Sequence, residues 1–299
     1  MIPTYNRSRY LKEALESVLR QDPGRDRMQI GVLDNATSTF DVKHMIENIS
    51  PGRIEYIRHS KNIGGIKNIN SCIAASRGLY VHILHDDDMV LEDFYLIMED
   101  AILENSTGTI FMAPIIGIDE NGHEIGRSFP PCASPGVIQN FRLEQAFSNR
   151  APTQTLVIPR AVYERVGGYT ESLSFTPDWE MAFRAASDGC AVAATTTKPL
   201  AAARWHSGSD SAKIIQGTRH IIEMKTTIDE LVGRLTQSEK ANVHRKKYSF
   251  PAMAAAHYAS ILKNSGNKWG ALINLCGALM LEPTAARLKS LIRELLPTR

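Results

Sequence analysis

The chain has 299 residues, with 34 lysines and arginines against 32 aspartates and glutamates, a formal net charge of +2. That length can bury a large core, either as one domain or as a catalytic domain with an extension, while the near-balance of charge excludes bulk electrostatic attraction to nucleic acid. Cys72, Cys132, Cys190 and Cys276 have neither metal-finger spacing nor the density of a secreted disulfide framework, which points to reduced thiols. No charged-then-apolar leader opens the sequence, and the apolar run 271–281 is interrupted by Asn274 and too short to span a bilayer.

Ile2-Pro3-Thr4-Tyr5-Asn6-Arg7 reads as the end of a strand entering a loop; the first strand is either very short or begun upstream. Ser8 can cap the next segment, where Leu11, Ala14, Leu15, Val18 and Leu19 recur at helical spacing up to Asp22-Pro23-Gly24. Residues 29–33 form an apolar strand that runs into Asp34-Asn35-Ala36-Thr37-Ser38. Phe40, Met45, Ile46 and Ile49 mark a second helix closed by Pro51-Gly52, and residues 54–59 make a third strand. Strand, helix, strand, helix, strand is the rhythm of a parallel sheet.

Asn62-Ile63-Gly64-Gly65-Ile66-Lys67-Asn68 opens a helix with Ile66, Ile69 and Ile73 inward, ending at Arg77-Gly78. Gly64 and Gly65 would let a ligand approach the backbone at a helix start, where Lys67 could neutralise phosphate; a glycine turn with a solvated lysine is the alternative. No Gly-x-Gly-x-x-Gly follows the first strand and no Gly-Lys-Ser/Thr occurs, which excludes the dinucleotide fingerprint and the Walker loop. In residues 79–90 a strand-like run then ends in His85-Asp86-Asp87-Asp88. Like-charge repulsion disfavours three consecutive carboxylates unless something positive sits among them. Ligands of open α/β sheets bind beyond the carboxyl ends of strands, so a divalent metal is the simplest candidate; a solvated acidic turn or helix cap is the alternative.

Beyond the aspartates, Phe94, Ile97, Met98, Ala101 and Ile102 stand at core spacing in a helix over 92–104, and 109–114 is a strand. Asp119-Glu120-Asn121-Gly122 is a hairpin turn, and the chain is irregular from Phe129-Pro130-Pro131. A strand-like segment at 155–159 and a short helix at 161–166 precede Gly167-Gly168-Tyr169. Thr176-Pro177-Asp178-Trp179-Glu180 starts a helix with proline in its first turn and Met181, Phe183 and Ala186 inward. Residues 191–203 read as a strand with a loop at Lys198-Pro199, followed by a polar loop from Trp205 to Ser211.

From about Ile214 every window is helical: Ile221, Met224, Ile228, Leu231, Val232 and Leu235 form one face, and helices follow at 250–263, 268–280 and 284–296. The last sets Arg287, Lys289, Arg293 and Arg299 beside Leu288, Leu291, Ile292, Leu295 and Leu296. Packing back on the catalytic domain is the expectation for it, and an anionic membrane surface the alternative.

Taken in order, these motifs resemble those of the inverting family 2 glycosyltransferases of the GT-A fold, over roughly residues 2–211. Pro3-Thr4-Tyr5-Asn6-Arg7 is similar to the family's Pro-Thr/Ser-Tyr-Asn-Arg/Lys opening, and Leu33-Asp34-Asn35-Ala36-Thr37-Ser38 to its second-strand motif. Asn62-Ile63-Gly64-Gly65 with Arg77-Gly78 resembles its third motif, and His85-Asp86-Asp87-Asp88 stands at its Asp-x-Asp signature. Gly167-Gly168-Tyr169, Asp178-Trp179-Glu180 and a late His206 are similar to its remaining landmarks. Three departures stand out: the first strand is curtailed, His85 replaces an aspartate and leaves the partner of Asp88 open between Asp86 and Asp87, and Pro177 replaces a glutamate.

The resemblance implies an α/β GT-A nucleotide-diphospho-sugar transferase fold, a mostly parallel central sheet flanked by helices with an α-helical C-terminal extension. The implied boundaries are a catalytic domain at 1–213, its nucleotide-binding half about 1–114 and its acceptor-side half about 115–213, then the extension at 214–299. It also implies sugar transfer with inversion from a nucleotide-sugar donor, UDP-sugar favoured and dTDP-sugar as the alternative, to a hydroxyl of a carbohydrate or lipid-linked glycan. The expected setting is bacterial surface polysaccharide or glycoconjugate synthesis in the cytoplasm, with peripheral membrane contact through the C-terminal helices as an added expectation.

The implied nucleotide-binding residues are Pro3, Thr4, Tyr5, Arg7, Asp34, Asn62, Gly64, Lys67, Asp86 and Asp87. Mn²⁺ or Mg²⁺ would be held by Asp88 with Asp86, and His206 could complete the set; imidazole suits Mn²⁺ better. Asp178 is the implied catalytic base with Glu180 as its substitute, although an acid in a first helical turn is also what the helix dipole favours. Competing readings are a catalytically silent nucleotide- or glycan-binding partner subunit, a metal-dependent phosphohydrolase and a Rossmann oxidoreductase. Asp34 and Asp178 would be idle in the phosphohydrolase, and the oxidoreductase lacks its glycine fingerprint.

Overall fold

Three short strands, β1 (Ile2–Thr4), β2 (Gly31–Asp34) and β3 (Glu55–Arg58), pair in parallel in that order, with Asp34 opposite both Thr4 and Arg58. The computed structural model describes residues 1–105, 108–128, 133–243 and 246–295; Phe129, Pro130, Pro131, Cys132, Leu296 and Arg299 lie outside them. Between the strands run α1 (Ser8–Leu19) and α2 (Val42–Ile49), giving the alternation that the sequence predicts. Leu11, Ala14, Leu15 and Val18 of α1 are buried with Ile2, Val32 and Ile46, each burial of this kind contributing about 1.5–3 kcal/mol for the larger side chains. Ser8 is the first helical residue rather than the cap, and Arg7 in the cap position makes no side-chain capping bond.

After α3 (Gly65–Ala75) the pairing becomes mixed, and α4 (Phe94–Glu104) and α5 (Phe141–Gln145) follow among the strands. β4 (Tyr80–His82), β6 (Ile110–Met112), β9 (Gly136–Val137), β10 (Val157–Pro159) and β11 (Val192–Ala194) form a sheet in the order β4-β10-β6-β11-β9, parallel between β6 and β11 and antiparallel elsewhere. β5 (Met89–Val90), β7 (Ile115–Ile118), β8 (Glu124–Arg127) and β12 (Ala201–Arg204) form another in the order β5-β12-β7-β8. The run 191–203 therefore supplies strands to two sheets, with Lys198-Pro199 at the break. β7 and β8 are the hairpin expected around Asp119-Glu120-Asn121-Gly122, closed by the Gly122 amide donating to the Asp119 carbonyl at 3.1 Å; Gly122 has a φ of 90°. The aspartate triplet lies where the chain passes from β4 to β5, after Ile83 and Leu84 have entered the core.

The chain divides into two compact units. The first comprises the described residues of Met1–Phe141, Arg150–Glu171 and Arg184–Trp205; the second comprises Arg142–Asn149, Ser172–Phe183 and the described residues from His206 onward. Within the first, α6 (Arg160–Val166) leads into Gly167-Gly168-Tyr169. Gly167 has a φ of 84°, and a Cβ on Gly168 would collide with Asn70 Oδ1. That same oxygen accepts the Tyr169 amide at 2.7 Å, so the second glycine is required by a close approach rather than by backbone angle.

The second unit holds the start of α7 (Pro177–Ser187), with proline in its first turn as expected, together with α8 (Asp210–Ile214), α9 (Arg219–Gly233), α10 (Gln237–Val243), α11 (Ser249–Asn264), α12 (Lys268–Leu281) and α13 (Ala285–Leu295). Trp179 and Phe183 are buried with Met224, Ile228 and Leu231 of α9. In α13, Leu291 packs against the Ile215, Ala259 and Leu275 cluster and Arg287 pairs with Glu282, while Leu288 and Ile292 stay exposed. Among the described residues no helix is long and apolar enough to cross a membrane.

Candidate active site

Asp86 is tied to the end of β1. Its Oδ2 accepts the Thr4 hydroxyl at 2.7 Å and the Tyr5 amide at 3.2 Å, and the carboxylate is buried. Asp87 pairs with Arg7, whose Nε also stands 3.7 Å from Asp86 Oδ1. Asp88 is buried and accepts one N–H on each oxygen: the Arg204 amide on Oδ1 at 2.9 Å and the Gln154 side chain on Oδ2 at 2.9 Å. Its own amide donates to the His85 carbonyl at 3.2 Å, closing the turn. Burial first, then the neighbouring charge of Asp87, pushes the carboxyls of Asp86 and Asp88 well above the ordinary range.

The positive charge that three adjacent aspartates call for is thus partly supplied by the protein. Asp86, Asp87, Asp88 and Glu13 are met by the guanidiniums of Arg7 and Arg204. A divalent cation bound at the turn would reverse the upward push on the buried acids. Ligand atoms of His85, Asp87 and Asp88 all lie within 4.8 Å of one another. Two carboxylates and an imidazole form a donor set that fits Mn²⁺, and less well Mg²⁺. The sequence expectation is Asp88 with Asp86 and His206, the partner of Asp88 standing open between Asp86 and Asp87; the structure brings ligand atoms of Asp87, Asp88 and His85 together, and Asp86 Oδ2 accepts from Thr4 and Tyr5.

Asp34 is fully buried at the end of β2. Its Oδ1 accepts the Thr37 amide at 2.7 Å; its Oδ2 accepts the Tyr56 hydroxyl at 2.7 Å and pairs with Arg58. Burial pushes its carboxyl up, but the Thr37 amide and hydroxyl, Tyr56 and Arg58 together hold it below the usual range. Thr37, Tyr56 and Arg58 therefore occupy most of the roughly four acceptor positions on this carboxylate, which the resemblance assigns to nucleotide binding. Arg58, itself half exposed, is the group that Asp34 orients.

Asn62 Oδ1 accepts from the Asn35 side chain at 3.0 Å and from the Gly64 amide at 2.8 Å, which shapes the entry into α3. Gly64 has a φ of 94°, and a Cβ on either Gly64 or Gly65 would meet nothing within 4 Å. Pro3 pairs with Leu33 in the sheet, and Tyr5 is exposed. Lys67 stands apart from the acidic turn's partners: it lies 3.7 Å from Glu171, both side chains exposed.

Asp178, Glu180 and His206 belong to the second unit. Asp178 and Glu180 occupy the first turn of α7, Asp178 partly exposed and Glu180 buried. The segment before them is held by Glu223 of α9, which accepts the amides of Ser174, Phe175 and Thr176 at 2.9, 2.6 and 2.8 Å. His206 opens the polar loop in which Ser209 caps α8, its hydroxyl accepting the Ala212 amide at 3.1 Å.

Gln154, Arg204, Arg58 and Glu223 escaped sequence reasoning. Arg204 carried a usable signal, a single charged residue closing the small apolar strand Ala201-Ala202-Ala203. Gln154 and Glu223 carried none, because their partners are distant in the chain.

With this geometry in hand, the chain can be set beside known proteins. It is 35% identical over 101 residues to the abequosyltransferase RfbV of Salmonella typhimurium, covering 33% of this chain and 30% of that protein. It is 34% identical over 87 residues to the putative colanic acid biosynthesis glycosyl transferase WcaA of Escherichia coli, covering 29% of this chain and 31% of that one. Across five such relatives it spans 30–45% of their length. Among solved structures, S. aureus TarS 1–349 in complex with UDP-GlcNAc superposes with a TM-score of 0.66 at 17% identity, over 97% of this chain and 82% of that one. The mannosyltransferase PcManGT from Pyrobaculum calidifontis, in complex with GDP-Man and Mn²⁺, gives 0.58 at 16% identity, over 98% and 82%. These likenesses are of fold, and the fold is GT-A, with mixed sheets flanked by helices. The model of the family described as Glycosyl transferase family 2 matches residues 1–165, more than half of the chain and the whole segment from β1 through the acidic turn to α6, so the chain belongs to that family.

Proposed function

We propose that this protein transfers a sugar from a nucleotide-diphosphate donor to an acceptor hydroxyl, with inversion and with a divalent cation at the acidic turn. The observation that carries the reading is the gathering of His85, Asp87 and Asp88 beside Arg7 and beside Thr4 and Tyr5 at the end of β1. When bound there, Mn²⁺ would neutralise the charge that develops on the departing diphosphate. Asp87, Asp88 and His85 would hold it. Arg7 is positioned to bind negative charge beside them, and Asp86 fixes the Tyr5 amide at the end of β1.

For the nucleobase, Arg58, backed by Asp34, would donate to a base carbonyl; Tyr5, exposed at the end of β1, would pack on the ring. A UDP-sugar is favoured and a dTDP-sugar is the alternative, since both pyrimidines offer such carbonyls. Gly65 is required by neither its backbone nor a packed neighbour, which fits a ligand approaching the start of α3. Asp178, more accessible than Glu180, would act as the base that takes the acceptor proton.

The acceptor would be a carbohydrate or lipid-linked glycan in bacterial surface polysaccharide synthesis, a setting supported by the likeness to a putative colanic acid biosynthesis transferase. Residues 214–299 would serve as a helical extension to a catalytic domain at 1–213, and exposed Trp269 and Met280 on α12 support peripheral membrane contact from a cytoplasmic protein. A thermal-shift panel of UDP-, dTDP- and GDP-sugars with Mn²⁺ tests the donor site, and the anomeric configuration of the product tests inversion. No shift with any nucleotide would refute the reading.

A further inference from the structure

We infer that Arg204 is a positioning residue for Asp87 and Asp88, holding the acidic turn in the shape that gathers them with His85; its bearing on catalysis rests on the metal-site reading above. Arg204 ends β12, and its side chain is fully buried. A buried guanidinium is costly unless its N–H groups find acceptors, so the acceptors it takes show what it holds. Nε donates to the Asp87 carbonyl at 3.0 Å, and the Arg204 amide donates to Asp88 Oδ1 at 2.9 Å. One residue thus fixes the main chain of one aspartate and the side chain of the next.

The rest of the guanidinium ties that grip to two other elements. Nη1 donates to the carbonyls of Asp119 and Glu120 in the β7–β8 turn at 3.2 and 3.3 Å, Nη2 pairs with Glu13 of α1, and Cζ lies over the Tyr10 ring, 4.7 Å from its centre. A rigid plane of N–H donors can reach these four acceptors at once; a lysine ammonium offers three donors from one point and no planar group to lay over the ring. Arg204 is bound to the turn through the Asp87 carbonyl and Asp88, which leaves the Asp87 carboxylate to Arg7.

The test compares the full chain with Arg204→Lys, Arg204→Gln and Glu13→Gln by amide hydrogen exchange and by Mn²⁺ affinity from electron paramagnetic resonance. Exchange at Asp87, Asp88 and Met89 should rise about tenfold or more in both Arg204 variants, with β1 to β3 unchanged. Mn²⁺ affinity should fall about 10-fold to 100-fold, the usual range for removal of a group that orients a metal ligand. Glu13→Gln should move both readouts in the same direction by less, and it decides the matter if the Arg204 variants do not fold. Wild-type exchange in these variants overturns the inference, as does unchanged Mn²⁺ affinity alongside faster exchange. If the wild-type protein binds no Mn²⁺, the metal-site reading falls, and exchange alone decides whether Arg204 holds the turn.

Discussion

The Thr4 hydroxyl donates to Asp86 Oδ2 at 2.7 Å, joining the end of β1 to the first aspartate of the acidic turn across 82 positions of the chain. Both side chains are buried, so neither group can exchange this partner for bulk water. Thr4→Val keeps the shape and removes the donor. It should cost about 1–3 kcal/mol, read as a lower urea midpoint at unchanged slope, and Thr4→Ser should recover most of it. A Thr4→Val protein as stable as wild type would mean that the bond contributes nothing net.

Division of labour inside the triplet makes a second prediction. Asp88→Asn should weaken Mn²⁺ binding by about 100-fold or more, and nucleotide release in the presence of acceptor should fall by a similar factor. Asp86→Asn, whose side chain faces Thr4 and Tyr5, should leave Mn²⁺ affinity within about tenfold of wild type. Chelation by EDTA should abolish transfer and readdition of Mn²⁺ restore it. Equal loss of metal in both variants would return Asp86 to the ligand set.

Stability should depend on pH through Glu223. Burial pushes its carboxyl up, but the amides of Phe175, Thr176 and Ser174 outweigh burial and hold it below the ordinary value. A depressed carboxyl contributes its full stabilisation above the unfolded value, about 4.3, and loses it as pH falls through the folded value. Wild-type protein should therefore lose stability progressively below about pH 5. Glu223→Gln should be about 1–3 kcal/mol less stable at pH 7, with a flatter melting profile towards acid. Parallel profiles for the two proteins would contradict this.

Asp178→Asn should leave donor binding near wild type in calorimetry while turnover falls by about 10² to 10⁴. Glu180→Gln, with its side chain buried in the same helical turn, should act chiefly on stability. Transfer at near wild-type rate by Asp178→Asn would sink the base assignment.

Much of the frame was legible in the sequence because it depends on near neighbours. Periodicity placed α1, with Leu11, Ala14, Leu15 and Val18 buried as expected, and turn chemistry placed the Gly122 hairpin and Pro177 in the first turn of α7. The mixed pairing of β4 to β12 was not legible, since a run such as 191–203 does not record that its two halves join different sheets. Nor was the anchoring of the α7 start by Glu223, whose three acceptor contacts reach 47 to 49 positions along the chain.

By itself the sequence determined that three aspartates end a strand-like run and that something positive must answer them, because residue identity and local pattern are sufficient for both. Which aspartate faces which partner was decided only by tertiary structure. The path of the chain from β4 to β5 directs Asp86 to Thr4, Asp87 to Arg7 and Asp88 to Gln154 and Arg204, and those partners are brought there from three separate parts of the chain. Charge repulsion acts between neighbours in sequence; the donors that answer it act only at hydrogen-bond distance, and distance is set by the fold.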